Sequence, residues 1–178
     1  MKKIFKKNHK KIGILGGTFD PPHIGHLHIS KVALKKLKLN VVFWLITKQN
    51  PLKNKPYLSI NTRIKLSEDI LSGQKKIFVK YMDKNVKSRN TFNLLYHLKK
   101  TNKKRKLFFL MGTDNLTNFH KWKNWKKIPE LAKIVIFSRP KYPLKNANAL
   151  ALKKLNKKDW IFINYKKMNI SSSLIRKF

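Results

Sequence analysis

The 178-residue chain has no cysteine. That excludes a disulfide framework and any thiolate metal site, and a reducing cytoplasm is the simplest home. Acids are almost as scarce: seven Asp and Glu stand against 43 Lys and Arg, a formal charge of +36. No carboxylate cluster for a dedicated divalent-cation site can be traced in so few. No apolar run approaches the roughly 20 residues of a membrane helix. Met1–Lys11 is lysine-rich and lacks the apolar core of a secretory signal. What the chain does have is 42% hydrophobic and 11% aromatic residues, enough to bury a core and to exclude a wholly disordered basic protein. The length suits one domain over residues 1–178, with residues 1–10 expected to be a basic, flexible tail.

A charge of this size ordinarily points to a polyanion. The composition weakens that reading, because only Arg63, Arg89, Arg105, Arg139 and Arg176 are arginines, and dedicated phosphate readers lean on the guanidinium fork. The lysines are spread through every segment and asparagine is abundant; both have A-rich codons, so drift in a genome of low G+C content is the favoured origin. The field still attracts anionic substrates at low salt. A non-catalytic nucleic-acid-binding protein is the rival from another class.

Short β-branched and aromatic runs alternate with helical patterns, the signature of βαβ units. Strands are expected at Lys11–Gly16, Val41–Thr47, Ile77–Met82, Leu107–Gly112, Ile134–Ser138 and Trp160–Asn164. Helices are expected at His26–Leu37, with Leu27, Ser30, Leu34 and Leu37 on one face, and at Ile60–Leu71, with Ile60, Ile64 and Leu71 on one face. Shorter ones are expected at Thr91–Leu98 and Ala147–Leu155. The implied fold is α/β: a Rossmann-like, doubly wound, mainly parallel sheet of five to six strands with helices on both faces. Such sheets bind ligands at the carboxyl ends of their strands.

The first strand runs into Gly16-Gly17-Thr18-Phe19-Asp20-Pro21-Pro22-His23-Ile24-Gly25-His26-Leu27. Two glycines after a buried strand let the backbone approach a phosphate, and the next helix offers free N–H groups and a positive dipole end. Gly25 removes a side chain where a nucleotide can lie against the backbone, and His23 and His26 can both donate to one phosphate. Each part alone is also a tight turn, a rigid turn or a polar helix start; their ordered combination at a strand-to-helix junction favours an anion site. Near the other end, Ser171, Ser172 and Ser173 precede a short helical pattern with Arg176 one turn on, a set suited to a triphosphate or simply an N-cap with a surface arginine. Gly112 closes the fourth strand, and Asp114 either accepts a ribose hydroxyl bond or caps a helix. Trp122 and Trp125 can each stack on a flat heterocycle or belong to the core.

The string from Gly16 to Leu27, with its HxGH core, resembles the nucleotidyltransferase superfamily, and in this double-Gly, double-Pro form the bacterial nicotinate-nucleotide adenylyltransferases. Asn50-Pro51-Leu52-Lys53, Met111 to Leu116 with Phe119 to Trp122, and Ile170 to Arg176, similar to a closing ISSTxIR motif, follow in the family's order over about 160 residues. The resemblance implies a transferase that joins ATP and nicotinate mononucleotide to give nicotinate adenine dinucleotide and pyrophosphate, with Mg²⁺ carried by the ATP phosphates. It implies His23 and His26 as catalytic residues. Gly16, Gly17, Thr18, Phe19, Gly25, Gly112, Asp114, Arg139, Ser171, Ser172, Ser173 and Arg176 would hold ATP and its phosphates, while Lys53, Thr91, Trp122 and Lys123 would hold the mononucleotide. Trp122 is the expected stacking ring and Trp125 the packing one. The Thr91 segment departs from the family: Asn90, Asn93 and Leu94 stand where Tyr, Asp and Thr are usual. The nearest rivals are pantetheine-phosphate and nicotinamide-nucleotide adenylyltransferases.

Overall fold

Six short apolar runs pair into one sheet in the order β3-β2-β1-β4-β5-β6, and every neighbouring pair is parallel. The strands are β1 (Lys11–Gly17), β2 (Val41–Ile46), β3 (Ile77–Tyr81), β4 (Lys106–Gly112), β5 (Lys133–Phe137) and β6 (Trp160–Ile163). The helices are α1 (Ile24–Lys36), α2 (Ile60–Ile70), α3 (Thr91–Thr101), the single turns α4 (Thr113–Leu116) and α5 (Ile128–Leu131), α6 (Leu150–Lys154) and the closing turn α7 (Ser172–Ile175). The computed structural model describes residues 9–50, 52, 54–81, 90–138, 150–165, 170 and 172–176.

β2 explains why the sheet must be covered on both sides. All six of its residues, Val-Val-Phe-Trp-Leu-Ile, are buried, because alternate side chains point to opposite faces and each face carries its own layer. One layer gathers Ile12, Ile14, Phe43, Phe109 and Ile134 against Leu94, Leu95 and Leu98 of α3 and against Phe119 and Ile128. The other gathers Leu15, Val42, Trp44, Leu110 and Val135 against Ile29 and Ala33 of α1. Each large apolar side chain so buried stabilises the fold by about 1.5–3 kcal/mol.

The strands fall within a residue or so of expectation, and the expected helix faces meet the core, with other residues at their centres. α1 begins at Ile24, capped by His23, and buries Gly25, Ile29, Ser30 and Ala33. Leu27, Leu34 and Leu37, expected on the core face with Ser30, are only partly buried at its flanks. Small residues let this helix lie close over β1 and β2. At the end of α2, Leu71 is buried and Ile60 and Ile64 pack partly buried against the same layer, as expected, while the fully buried residues within the helix are Arg63 and Ser67. Lys10, expected in a flexible tail, is docked: its N–H donates to Asn40 Oδ1 at 3.0 Å and its carbonyl accepts from Lys106 at 2.9 Å. Met82 and the expected helix start at Ala147 lie outside the described residues.

Strand order reverses between β1 and β4, so the crevice beyond their carboxyl ends is where a doubly wound sheet takes a ligand. Gly17 and Gly112 end those two strands.

Candidate active site

The glycine turn is open. Gly16 is exposed at the end of a strand that is otherwise largely buried. A Cβ added at Gly16 would meet only Phe109 Cε2 at 3.5 Å, and one at Gly17 only the Phe19 ring at 3.5 Å, both ordinary contacts. Packing therefore requires glycine at neither position, which leaves the outer face free for a close approach. Phe19 follows with φ of 50°, a left-handed conformation that costs a bulky residue about 1–3 kcal/mol and persists only where surroundings over-determine it. Here they do, for the Phe19 ring is 3% exposed and stacks on Trp44 at 5.1 Å.

The two histidines stand on that wall. His23 is the N-cap of α1 and 4% exposed; its backbone N–H donates to His26 Nδ1 at 3.2 Å. Because Nδ1 accepts, a neutral His26 carries its proton on Nε2. The rings lie 3.8 Å apart and 30° from parallel, and His26 also meets Phe19 at 4.7 Å and the edge of Trp44 at 5.7 Å. Below, Trp44 Nε1–H donates to Ser30 Oγ at 2.8 Å, and Ser30 Oγ donates to the His26 carbonyl at 2.8 Å. The pair is thus held by packing and by a chain of hydrogen bonds reaching into β2. Gly25, expected to make room for nucleotide, makes room for protein: a Cβ there would come within 2.8 Å of His23 Nδ1 and 2.9 Å of Ile170 Cγ2.

Ile170 belongs to the closing motif, which folds onto the turn after β1. Ser172 Oγ donates to the Pro21 carbonyl at 2.8 Å, and Arg176 Nη1 donates to the Asp20 carbonyl. Arg176 Nη1 also lies 3.9 Å from the Asp20 carboxylate, and Nη2 reaches Ser173 Oγ at 3.3 Å. Ser172, Ser173 and Arg176, the groups expected to hold a triphosphate, thus stand beside Asp20 and Pro21, and Ser172 and Arg176 dock the closing turn on them. Asp20 is itself 6% exposed and accepts the N–H groups of Tyr57 and Leu58 at 2.9 Å each, so it joins the turn to the entrance of α2.

The β4 side is built differently. Gly112 is buried and caps α4, whose first turn carries Asp114. Trp122 and Trp125 both rest edge-on against Phe119, at 5.2 and 6.0 Å, and Trp122 also meets Phe109 at 6.0 Å. Packing does not separate a stacking ring from a structural one as expected: both are partly buried against the core, and Trp122 has the more aromatic neighbours. Lys123 is exposed. Thr91 opens α3 and is half-buried; before it, the unusual Asn90 is an N-cap whose side chain accepts from Asn93 N–H at 2.9 Å. Phe109 joins the two sides, since it lies under Gly16 and against Trp122. Lys53, Arg139 and Ser171 lie outside the described residues.

The structure therefore unites Gly17, Phe19, His23, Gly25, His26, Ser172, Ser173 and Arg176 around one turn, with Asp114 and Trp122 on the segment after the neighbouring strand β4. Ser30, Trp44, Asp20 and Arg63 bond or pack around the same turn, Arg63 through the Thr18 carbonyl, a placement that the sequence did not disclose. Arg63 had one usable signal, as one of five arginines in a chain that otherwise uses lysine. Among the described residues no group of three His, Cys, Asp or Glu side chains can hold a metal ion, and no helix is long and apolar enough to cross a membrane.

Residues 14–178 match the cytidylyltransferase-like family. The chain belongs to that family. This member is 47% identical over 167 residues to the "Probable nicotinate-nucleotide adenylyltransferase" of Pelagibacter ubique (strain HTCC1062), covering 94% of this chain and 92% of the relative. It is 34% identical over 184 residues to the protein of the same name from Ruegeria sp. (strain TM1040), covering 93% and 96%. Among solved structures, the Plasmodium falciparum nicotinic acid mononucleotide adenylyltransferase complexed with NaAD superposes with a TM-score of 0.78 at 24% identity, over 96% of this chain and 84% of that one. That likeness establishes a shared fold for the family member described here.

Proposed function

We propose that this chain transfers the adenylyl group of ATP to nicotinate mononucleotide, giving nicotinate adenine dinucleotide and pyrophosphate. The observation that carries the reading is the stacked His23–His26 pair at the head of α1, 3.8 Å ring to ring, beside an open Gly16-Gly17 turn at the point where strand order reverses. The 47% identical relative supports the choice of pyridine nucleotide as acceptor.

The phosphate of the mononucleotide is ionised at neutral pH and is itself the nucleophile. It attacks the α-phosphorus of ATP in line, the bond to the bridging oxygen breaks, and that oxygen leaves with pyrophosphate. No protein nucleophile is needed, so catalysis consists of aligning two polyanions and stabilising charge on the α-phosphate oxygens and the leaving group. His26 Nε2–H and the His23 imidazole donate to those oxygens. The glycine turn and the amino end of α1 receive the phosphates. Arg176 and Ser173, which bond Asp20 and each other beside this turn, supply further donors to the same phosphates. Trp122 and Thr91 serve the pyridine side, with Lys123 on the rim; Asp114 accepts from ribose. Lys53, Arg139 and Ser171 remain assigned by resemblance. Mg²⁺ arrives as part of the ATP substrate, which suits a chain whose Asp20 carboxylate is already engaged by two N–H groups and Arg176.

The test is pyrophosphate release from ATP and Mg²⁺ with nicotinate mononucleotide, nicotinamide mononucleotide and phosphopantetheine offered in parallel. A strong preference for nicotinate mononucleotide is expected. Preference for either other acceptor reassigns the substrate, and no release with any of them overturns the enzymatic reading. In that case, salt-dependent affinity for DNA or RNA that survives substitution of His23 and His26 would support the polyanion reading.

A further inference from the structure

Arg63 lies in the first turn of α2 and is 2% exposed, a rare state for an arginine unless its donors are satisfied. Its fork reaches backbone on three segments. Nε–H donates to the Leu58 carbonyl at 3.1 Å, Nη1 to the Thr18 carbonyl at 2.6 Å and the Thr47 carbonyl at 2.9 Å, and Nη2 to the Lys48 carbonyl at 3.0 Å. Thr18 belongs to the glycine turn after β1, and Thr47 and Lys48 to the loop after β2 that leads to Asn50 and Lys53. Asp20 returns the grip from the other side through the N–H groups of Tyr57 and Leu58.

In a planar trans peptide the carbonyl and the following N–H point in opposite directions. Drawing the Thr18, Thr47 and Lys48 carbonyls onto one guanidinium turns the N–H groups of Phe19, Lys48 and Gln49 away from it. We propose that Arg63 is a positioning residue for the transfer reaction: from beneath the site it sets the peptide planes of the loops after β1 and β2, so that amide groups on both loops face the two substrates. It touches neither substrate. The strained Phe19 conformation is the local mark of this arrangement, since Phe19 follows the carbonyl that Arg63 holds. Lysine cannot replace it, because one ammonium on a flexible stem does not span carbonyls on three segments in a fixed plane.

The inference rests on the adenylyltransferase reading, and its test separates the two. Wild-type turnover checks the reading by itself. Arg63→Lys and Arg63→Gln are then assayed well below their melting midpoints, with rates normalised to folded protein. Loss of two-loop positioning is expected to lower kcat about ten- to a hundredfold and to raise KM for both ATP and the mononucleotide. Wild-type kcat and KM in folded Arg63→Lys and Arg63→Gln, with only the melting temperature reduced, would make Arg63 purely structural and overturn the proposal. Amide hydrogen exchange on the wild-type chain serves as the second measurement, independent of whether the variants fold. With saturating nonhydrolysable ATP analogue and nicotinate mononucleotide, slowed exchange at Phe19 and at Lys48 or Gln49 is expected. Unchanged exchange at all three would overturn it.

Discussion

The turn after β1 and the segment after β4 border one crevice, but the first combines ring stacking with polar bonds from distant parts of the chain, whereas on the second two tryptophans rest on core phenylalanines. Around Thr18 to His26, donors arrive from α2, from the closing turn and from the base of α1. Around Gly112 to Trp125 the ring contacts join Phe109, Phe119 and the two tryptophans. Phosphates need fixed hydrogen-bond donors at defined positions, and a network is the way to fix them. A flat heterocycle needs a ring face and tolerates sliding, which packed aromatics supply.

The comparison breaks most sharply at His26. His26→Ala is expected to lower kcat by roughly 10²-fold or more with the fold intact, the scale of one lost transition-state hydrogen bond; near wild-type turnover would remove it from the mechanism. On the aromatic side Trp122→Ala is expected to raise KM for the mononucleotide and to cost about 2 kcal/mol of stability, because a half-buried ring leaves Phe109 and Phe119. An unchanged KM with the stability loss alone would return Trp122 to the core. Gly25→Ala is expected to cost about tenfold in kcat, since its methyl must displace the His23 imidazole or Ile170; full activity would show that the His23 ring can move freely. Asn90→Ala is the smallest change, with about 1 kcal/mol lost from the α3 cap by thermal or denaturant unfolding.

The contrast also marks what the sequence could tell. Strands were legible because a sheet buried on both faces needs continuous apolar runs, as in β2. The glycine turn and histidines were legible because they are consecutive in the chain. The helix faces were less so. An arginine on α2 reads as a solvent-facing residue until three loops bring their carbonyls to it, and no local pattern records that convergence. Trp44 reads as one more core residue until Phe19 and His26 stack around it. The closing motif disclosed its position but not its direction, because Ser172 and Arg176 carry the same donors whether they meet a phosphate or the carbonyls of Pro21 and Asp20, more than 150 residues away in sequence.

Direct transfer without a protein nucleophile is tested most directly by stereochemistry at the α-phosphorus. A single diastereomer of adenosine 5′-O-(1-thiotriphosphate) would be converted with nicotinate mononucleotide and the configuration of the dinucleotide product determined. One in-line displacement, aligned at the head of α1, predicts inversion. Retention would reveal two displacements through a covalent adenylyl-enzyme and would contradict a site that works by positioning and hydrogen bonding alone.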